Sequence, residues 1–203
     1  MRLSEEKYEE IKMKIALVFE DYNVNELPID IFGLAQKMGV IVVYASQIIN
    51  RHKDKINEFI LFNYPPSYLY YSNLKQKFFV YIDDVGTTTC RQRFSMAHEL
   101  MHIILGHTEQ NENNEAEANF GAQYMLAPTS LILLSRDNRM LEEAEFVKLV
   151  FGVSQPVAET VIRYNHNRLF YFPLEEKNYE EIINNQLGKS FNKIIFPDGN
   201  TIK

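Results

Sequence analysis

The spacing of apolar side chains predicts an α+β fold that contains more helix than strand. From Ser4 to Tyr22 the residues follow a helical period, with Ile11 and Ile15 on one face behind an acidic first turn. A second, short helix is expected from Pro28 to Met38, because proline suits a first helical turn and Gly39 suits a stop.

Short apolar runs rich in β-branched and aromatic residues predict strands after these two helices. Four such runs lie at residues 40–44, 59–62, 68–71 and 78–82. Together they predict a small, mostly antiparallel sheet packed on helices.

The second half of the sequence predicts further helices. The run Thr89–Gln92 matches a capping box, so we expect a helix from Thr89 to about Leu105 that ends at Gly106. More helices are expected over residues 114–126 and 128–135, and a helix pair over 141–151 and 154–167. After Arg168 we expect strands and loops. The predicted division is an N-terminal domain over residues 1–136, which includes the helix expected to begin at Thr89, and a C-terminal helical pair with its tail over 137–203, packed on the first.

The composition restricts the partners and the compartment. The 203 residues carry a net charge of −6, so no basic excess is available for phosphates and no direct nucleic-acid partner is expected. The single cysteine, Cys90, excludes an intramolecular disulfide and fits a reducing compartment. Residues 1–10 lack a signal-peptide core, and no apolar run has the length of a membrane span. We therefore expect a cytoplasmic protein without a membrane partner.

The helix predicted to begin at Thr89 contains His98-Glu99-Leu100-Met101-His102, an HExxH pentapeptide. Residues four apart lie on one helix face, about 6 Å apart along the axis, so both imidazoles can bind one metal ion. Glu99 is displaced around the axis and can act on a water, which completes the core of a zinc hydrolase. A bare HExxH also occurs by chance in buried helices, but the apolar flanks favour a metal that explains the buried polar groups.

A catalytic zinc usually has a third protein ligand. His107 follows His102 by five residues, about 140° around a continuing helix, and is expected to be a helix-end residue rather than a ligand. A short turn after Gly106 would bring the next helix back along the first, at roughly 8–10 Å between axes. Glu115 shares a face with small residues there and is the favoured ligand, whereas Glu117 points roughly 200° away. The alternative for both is a solvated carboxylate favoured by the helix dipole.

The run Arg91–His107 closely resembles the metal helix of the ImmA/IrrE family of HExxH metallopeptidases. In that family a glutamate, an asparagine four residues later and a closing Leu-x-Pro recur on the next helix. Residues 115–119 and 126–128 are similar to that pattern. Two positions depart from it: Met101 stands where glycine is common, and Gly121 stands where a larger apolar residue is frequent.

The resemblance implies a small, thermolysin-like peptidase fold of the zincin type and intracellular regulated proteolysis. It gives the role of third ligand to Glu115, in agreement with the helix geometry above. The implied cofactor is Zn²⁺, with Mn²⁺ as the alternative. Members of the family often cut a helix-turn-helix repressor, frequently one encoded on a phage or mobile element, so the implied partner is a protein substrate of that kind.

The resulting hypothesis is metal-assisted peptide hydrolysis, with His98, His102 and Glu115 as metal ligands. Glu99 would take a proton from the attacking water and pass it to the leaving amine. An edge strand before the metal helix, for which residues 78–82 are the candidate, would align the substrate.

A competing hypothesis makes the chain a metal-binding regulatory protein without proteolytic activity. Residues 141–168 have the length and the glycine-containing turn of a helix-turn-helix. Their charges are mostly acidic and form no basic face, so a role in docking protein fits better than DNA binding.

Overall fold

A computed structural model of the chain describes residues 3–51, 66–134, 144–171 and 177–196. These residues form nine helices and three strands. The first half contains α1 (Glu5–Asp21), α2 (Ile31–Lys37), β1 (Ile41–Tyr44), α3 (Ala45–Arg51), β2 (Ser67–Ser72) and β3 (Lys77–Ile82). The second half contains α4 (Thr89–Leu105), α5 (Glu112–Leu126), α6 (Thr129–Leu134), α7 (Ala144–Phe151), α8 (Gln155–Tyr171) and α9 (Asn178–Ile195).

Side-chain caps set the starts of the helices that matter for the site. The Thr88 hydroxyl accepts a hydrogen bond from the Arg91 backbone N–H at 3.3 Å, so the cap lies one residue before the predicted capping box. Helix α4 then ends at Gly106, which adopts a left-handed conformation with φ of 72°. Helix α5 starts at Glu112, earlier than predicted, because the Asn111 side chain accepts from the Asn114 backbone N–H.

The sheet has the strand order β1–β3–β2 and is mixed rather than mostly antiparallel. Strands β2 and β3 form an antiparallel hairpin, but β1 pairs with β3 in parallel. Residues 73–76 join β2 to β3, whereas residues 45–76 separate β1 from β3 along the chain, and a separation of that length permits parallel pairing. Among the described residues, β3 is therefore the central strand and β2 an edge strand. The strand predicted at residues 59–62 lies outside the described residues.

The prediction of strands and loops after Arg168 is wrong. Helix α8 continues to Tyr171, and the 18-residue helix α9 follows it. Ile183, Leu187 and Phe191 recur at helical spacing in α9 and are almost completely buried. This apolar stripe packs along α1, which gives the tail its place in the core. The predicted domain boundary at residue 136 lies outside the described residues.

Two cations, the half-buried Arg93 and the buried Lys12, connect the C-terminal helices to the rest of the core. The Arg93 guanidinium of α4 donates hydrogen bonds to the backbone carbonyls of Ile29, Phe151 and Gly152, at 2.8 to 3.2 Å. Lys12 of α1 is 2% exposed and its ammonium lies 2.8 Å from a carboxylate oxygen of Glu9. The same ammonium lies over three tyrosine rings that belong to α5, α8 and α9, namely Tyr124, Tyr164 and Tyr179.

The contact between α4 and α5 positions the polar residues of the sequence motif. Helix α5 runs back along α4 and packs closely against it. Within this contact Gly121 faces Met101, which is fully buried. Close approach of the two helices here brings the first turn of α5 beside the second half of α4. No helix in the described part of the chain is long and apolar enough to cross a membrane.

Candidate metal centre

The two histidines of the pentapeptide project from the same face of α4. Their four-residue spacing places the Nε2 atoms of His98 and His102 3.0 Å apart. Both side chains are largely buried, with exposed fractions of 15% for His98 and 10% for His102. The two rings therefore converge on a single point next to α5.

Glu115 completes a three-residue cluster at that point. One carboxylate oxygen lies 3.3 Å from His98 Nε2, and the other lies 3.5 Å from His102 Nε2. Ligand atoms of a tetrahedral zinc ion with bonds of 2.0–2.1 Å would lie roughly 3.3 Å apart, so the spacing fits such an ion. Among the described residues these three side chains form a group that could hold a metal. Glu117, the other carboxylate considered from the sequence, contacts His107 instead.

The protonation states of the histidines suit metal binding. Burial lowers the pKa of His98, although the charge of Glu115 opposes this effect. Burial and the neighbouring His98 lower the pKa of His102 to about 4. Both rings are therefore neutral near pH 7 and offer a lone pair. Three basic atoms that face one another repel unless a proton or cation lies between them, so this donor set fits Zn²⁺.

Glu99 lies on a different side of α4 and is 7% exposed. Its Oε1 accepts a hydrogen bond from the Ser67 hydroxyl at 2.7 Å. Burial raises the pKa of Glu99, the Ser67 hydrogen bond opposes that rise, and the charge of Glu115 adds to it. Ser67 begins β2 and is far from the pentapeptide in sequence, so sequence reasoning missed it and no local pattern indicates it.

An open cavity of about 540 Å³ connects these groups. It lies between β2 and the helices α4 and α5, and both the three-residue cluster and Glu99 line it. Strand β2 contributes Ser67, Tyr68 and Leu69 to the wall. A peptide segment that enters the cavity would thus meet the strand and the cluster together.

His107 lies beside the cluster in a way that the sequence did not indicate. The left-handed Gly106 turns the chain at the end of α4, so His107 does not continue the helix from which its direction was predicted. Its Nδ1 lies 2.9 Å from Nδ1 of His102, the ring nitrogen opposite the one that faces Glu115. Its Nε2 lies 3.3 Å from Oε2 of Glu117. The sequence predicts His107 only as a helix-end residue, and its contacts with His102 and Glu117 are not part of that prediction.

Comparison with known proteins agrees with the resemblance seen in the sequence. The family model of the IrrE N-terminal-like domain, a peptidase family, matches residues 56–161, which include the pentapeptide and Glu115. No curated protein gives a significant match. The match and the helix-rich α+β architecture confirm the predicted family and the small, zincin-like fold class. Since the matched segment spans just over half of the 203 residues, the chain belongs to the IrrE N-terminal-like family of peptidases.

Proposed function

We propose that the protein is a zinc-dependent endopeptidase that acts in the cytoplasm and cleaves a regulatory protein such as a helix-turn-helix repressor. The observation that carries the proposal is the convergence of His98, His102 and Glu115 in a cavity that also contains the buried Glu99. Membership of a peptidase family supports peptide-bond hydrolysis as the reaction.

The donor set favours zinc among the common metals. Two imidazole nitrogens and one carboxylate are the ligands of many catalytic zinc sites, in which a fourth position stays open for water or substrate. Mn²⁺ is the alternative, because carboxylate and imidazole also suit it. When bound there, zinc would supply a Lewis acid that polarises the scissile carbonyl and lowers the pKa of a water ligand.

Glu99 is the residue proposed to move the proton. Its carboxylate would accept a proton from the attacking water and then give it to the leaving amine. The Ser67 hydroxyl holds one carboxylate oxygen at 2.7 Å, which fixes the orientation of the group and leaves the second oxygen for the water. Exclusion of solvent around this nearly buried side chain strengthens its interaction with a bound substrate.

Strand β2, rather than β3, is the proposed guide for the substrate backbone. The sequence pointed to residues 78–82, but these form the central strand, whose two sides are already paired with β1 and β2. Among the described residues β2 pairs on one side only, and Tyr68 and Leu69 line the cavity. An extended substrate segment could add as a further strand to the side of β2 that has no partner among the described residues. A repressor as the substrate is supported by the family resemblance, and the acidic net charge favours protein over nucleic acid as the partner.

The decisive experiment compares zinc-loaded wild type with the Glu99→Gln variant on a mixed-sequence peptide library analysed by mass spectrometry. Loss of a general base typically costs 10²- to 10⁴-fold in rate, so we expect cleavage by wild type and almost none by the variant at equal zinc content. Glu112→Gln, an exposed first-turn carboxylate of α5, is the matched control and should cleave normally. Cleavage by Glu99→Gln at the wild-type rate would overturn the proposed mechanism.

The same proteins can separate a peptidase from a metal-binding regulator. Candidate repressors would be mixed with the wild-type protein, with and without a chelator. Chelator-sensitive cleavage supports the peptidase. A stable complex that forms without cleavage and survives the chelator would instead favour the regulatory protein and contradict the proposal.

A further inference from the structure

The surroundings of His107 form a chain of polar contacts that starts at the candidate metal centre. His107 Nδ1 lies 2.9 Å from His102 Nδ1, and His107 Nε2 lies 3.3 Å from Glu117 Oε2. The side chains of His107 and Glu117 are only 8% and 14% exposed. These contacts therefore lie in a region where an unpaired polar group would be costly.

The direction of each hydrogen bond follows from the position of the metal. If His102 binds the metal through Nε2, its proton must lie on Nδ1, because a ligating nitrogen cannot carry one. His102 Nδ1–H then donates to His107 Nδ1, which has to be unprotonated. The proton of His107 consequently lies on Nε2, where it donates to the carboxylate of Glu117. Each of the two contacts thus has one donor and one acceptor, and no ring nitrogen has to donate and accept at once.

A cation from α1 lies near the Glu117 end of this series of contacts. The ammonium of Lys7 lies 3.8 Å from Oε2 of Glu117 and is held in turn by Glu10 at 2.8 Å. Glu117 therefore has a neighbour of opposite charge on another helix in addition to His107. The backbone N–H of His107 also donates to the carbonyl of His102 at 2.9 Å, which holds the loop after α4 in place.

We propose that His107 is a positioning residue for the metal ligand His102, and that Glu117 fixes the tautomer and orientation of His107. This inference rests on the proposed metal centre, because the metal sets the direction of the hydrogen bonds. An acceptor on the second nitrogen of a ligating histidine fixes the ring and raises its basicity toward the metal. His107 contributes no ligand atom itself, since the atoms that face the centre belong to His98, His102 and Glu115.

The direct test is NMR on the zinc-loaded wild-type protein with ¹⁵N-labelled histidine. We expect a proton on His102 Nδ1 and a scalar coupling across the hydrogen bond between the Nδ1 atoms of His102 and His107. Such a coupling requires an N–H···N bond and is not produced by mere packing. A zinc-loaded protein in which His102 carries its proton on Nε2, or in which the two Nδ1 atoms are uncoupled, would overturn the inference.

Zinc affinity measured by chelator competition provides the quantitative test. His107→Leu removes the acceptor and is expected to weaken zinc binding about 10- to 100-fold. His107→Asn keeps an oxygen near the position of Nδ1 and should restore most of the affinity. His166→Gln, at an exposed histidine of α8, is the control and should bind as wild type does.

The outcomes distinguish this inference from the proposed function. If wild type binds no zinc, the metal centre fails. If wild type binds zinc and His107→Leu binds it equally well, the centre stands and the role of His107 fails. Thermal unfolding of the metal-free variants shows whether either one is misfolded, and in that case the NMR result on wild type decides the question.

Discussion

The two departures from the family pattern, Met101 and Gly121, lie against each other. A Cβ atom added to Gly121 would lie 2.6 Å from Met101 Cε, 2.8 Å from its Cγ and 2.9 Å from its Sδ. Such distances are too short for carbon or sulfur, so the Met101 side chain fills the space that a larger residue at position 121 would need. We therefore predict strong coupling between these two positions.

The size of the coupling follows from the environment. Met101 is fully buried, so Met101→Ala should cost about 2–5 kcal/mol of the free energy of unfolding. Gly121→Ala gains about 1 kcal/mol of helix propensity. In the presence of Met101 the added methyl group also overpacks the contact between α4 and α5, at a cost of roughly 1–3 kcal/mol. The net effect of Gly121→Ala on the free energy of unfolding is therefore near zero or destabilising. After Met101→Ala the space is free, and Gly121→Ala should stabilise the protein by about 1 kcal/mol.

Urea unfolding of the four proteins measures this cycle. The measurements belong in chelator, because bound metal would add its own stabilisation. Gly188→Ala on α9 is the control: no atom lies within 4 Å of the added Cβ, so its effect should be the same with Met101 or Ala at position 101. If Gly121→Ala changes stability by the same amount in both backgrounds, within about 0.5 kcal/mol, the packing explanation is refuted.

Three further predictions concern stability. Arg93→Lys should lose about 1–3 kcal/mol in urea unfolding, because one ammonium cannot reproduce the planar set of donors that reaches three carbonyls; wild-type stability in the variant would contradict this role. Burial lowers the pKa of Lys12, but Tyr164, Tyr179 and Glu9 outweigh it and raise the pKa from 10.5 to about 12. The charged form of Lys12 is thus favoured in the folded state. The contribution of this charge to the free energy of unfolding is complete below pH 10.5 and is lost as the pH rises to about 12. Urea unfolding across that window should show this loss in wild type and not in Lys12→Met; equal profiles would contradict it. Zinc at 1,000 times its Kd should stabilise the protein by about 4 kcal/mol, and a chelator should remove that stabilisation. A melting temperature that does not change when zinc is added would argue against a metal site in the folded state.

Local and periodic features of the chain could be predicted from its sequence. The four-residue spacing of His98 and His102 determines that they share a helix face, whatever the rest of the fold does. Glu115 could also be placed, because a glycine stop and a short turn leave the next helix few directions to take. The structure brings these three side chains together as that reasoning expected.

Features that depend on tertiary contacts were missed or predicted wrongly. The β-branched and aromatic residues of α9 indicated strand, but Ile183, Leu187 and Phe191 are stabilised as a helix by packing against the core. Lys177 at the N-cap position does not mark a helix start in the sequence, and the start of α9 is stabilised instead by Glu180, whose carboxylate accepts a hydrogen bond from the Lys177 backbone N–H at 3.0 Å. Parallel pairing of β1 with β3 depends on the path of the chain between them, which strand propensity does not encode.

The supporting residues of the site were missed for a similar reason. Ser67 meets Glu99 only because β2 folds against α4, and the two residues are 32 positions apart. His107 was judged by extending α4 past Gly106, but the left-handed glycine redirects the chain at that point. Helix periodicity therefore identified the side chains that face the cluster but not the partners that orient them.

The central claim is a metal centre of three residues, and metal content per chain tests it most directly. Protein purified without added metal and without a metal-affinity tag would be reconstituted with zinc, dialysed and analysed by elemental mass spectrometry. We expect one zinc per chain in wild type and in Glu112→Gln, and loss of zinc in both His98→Ala and Glu115→Gln. Absence of zinc from the wild type, or full retention in either ligand variant, would contradict the account.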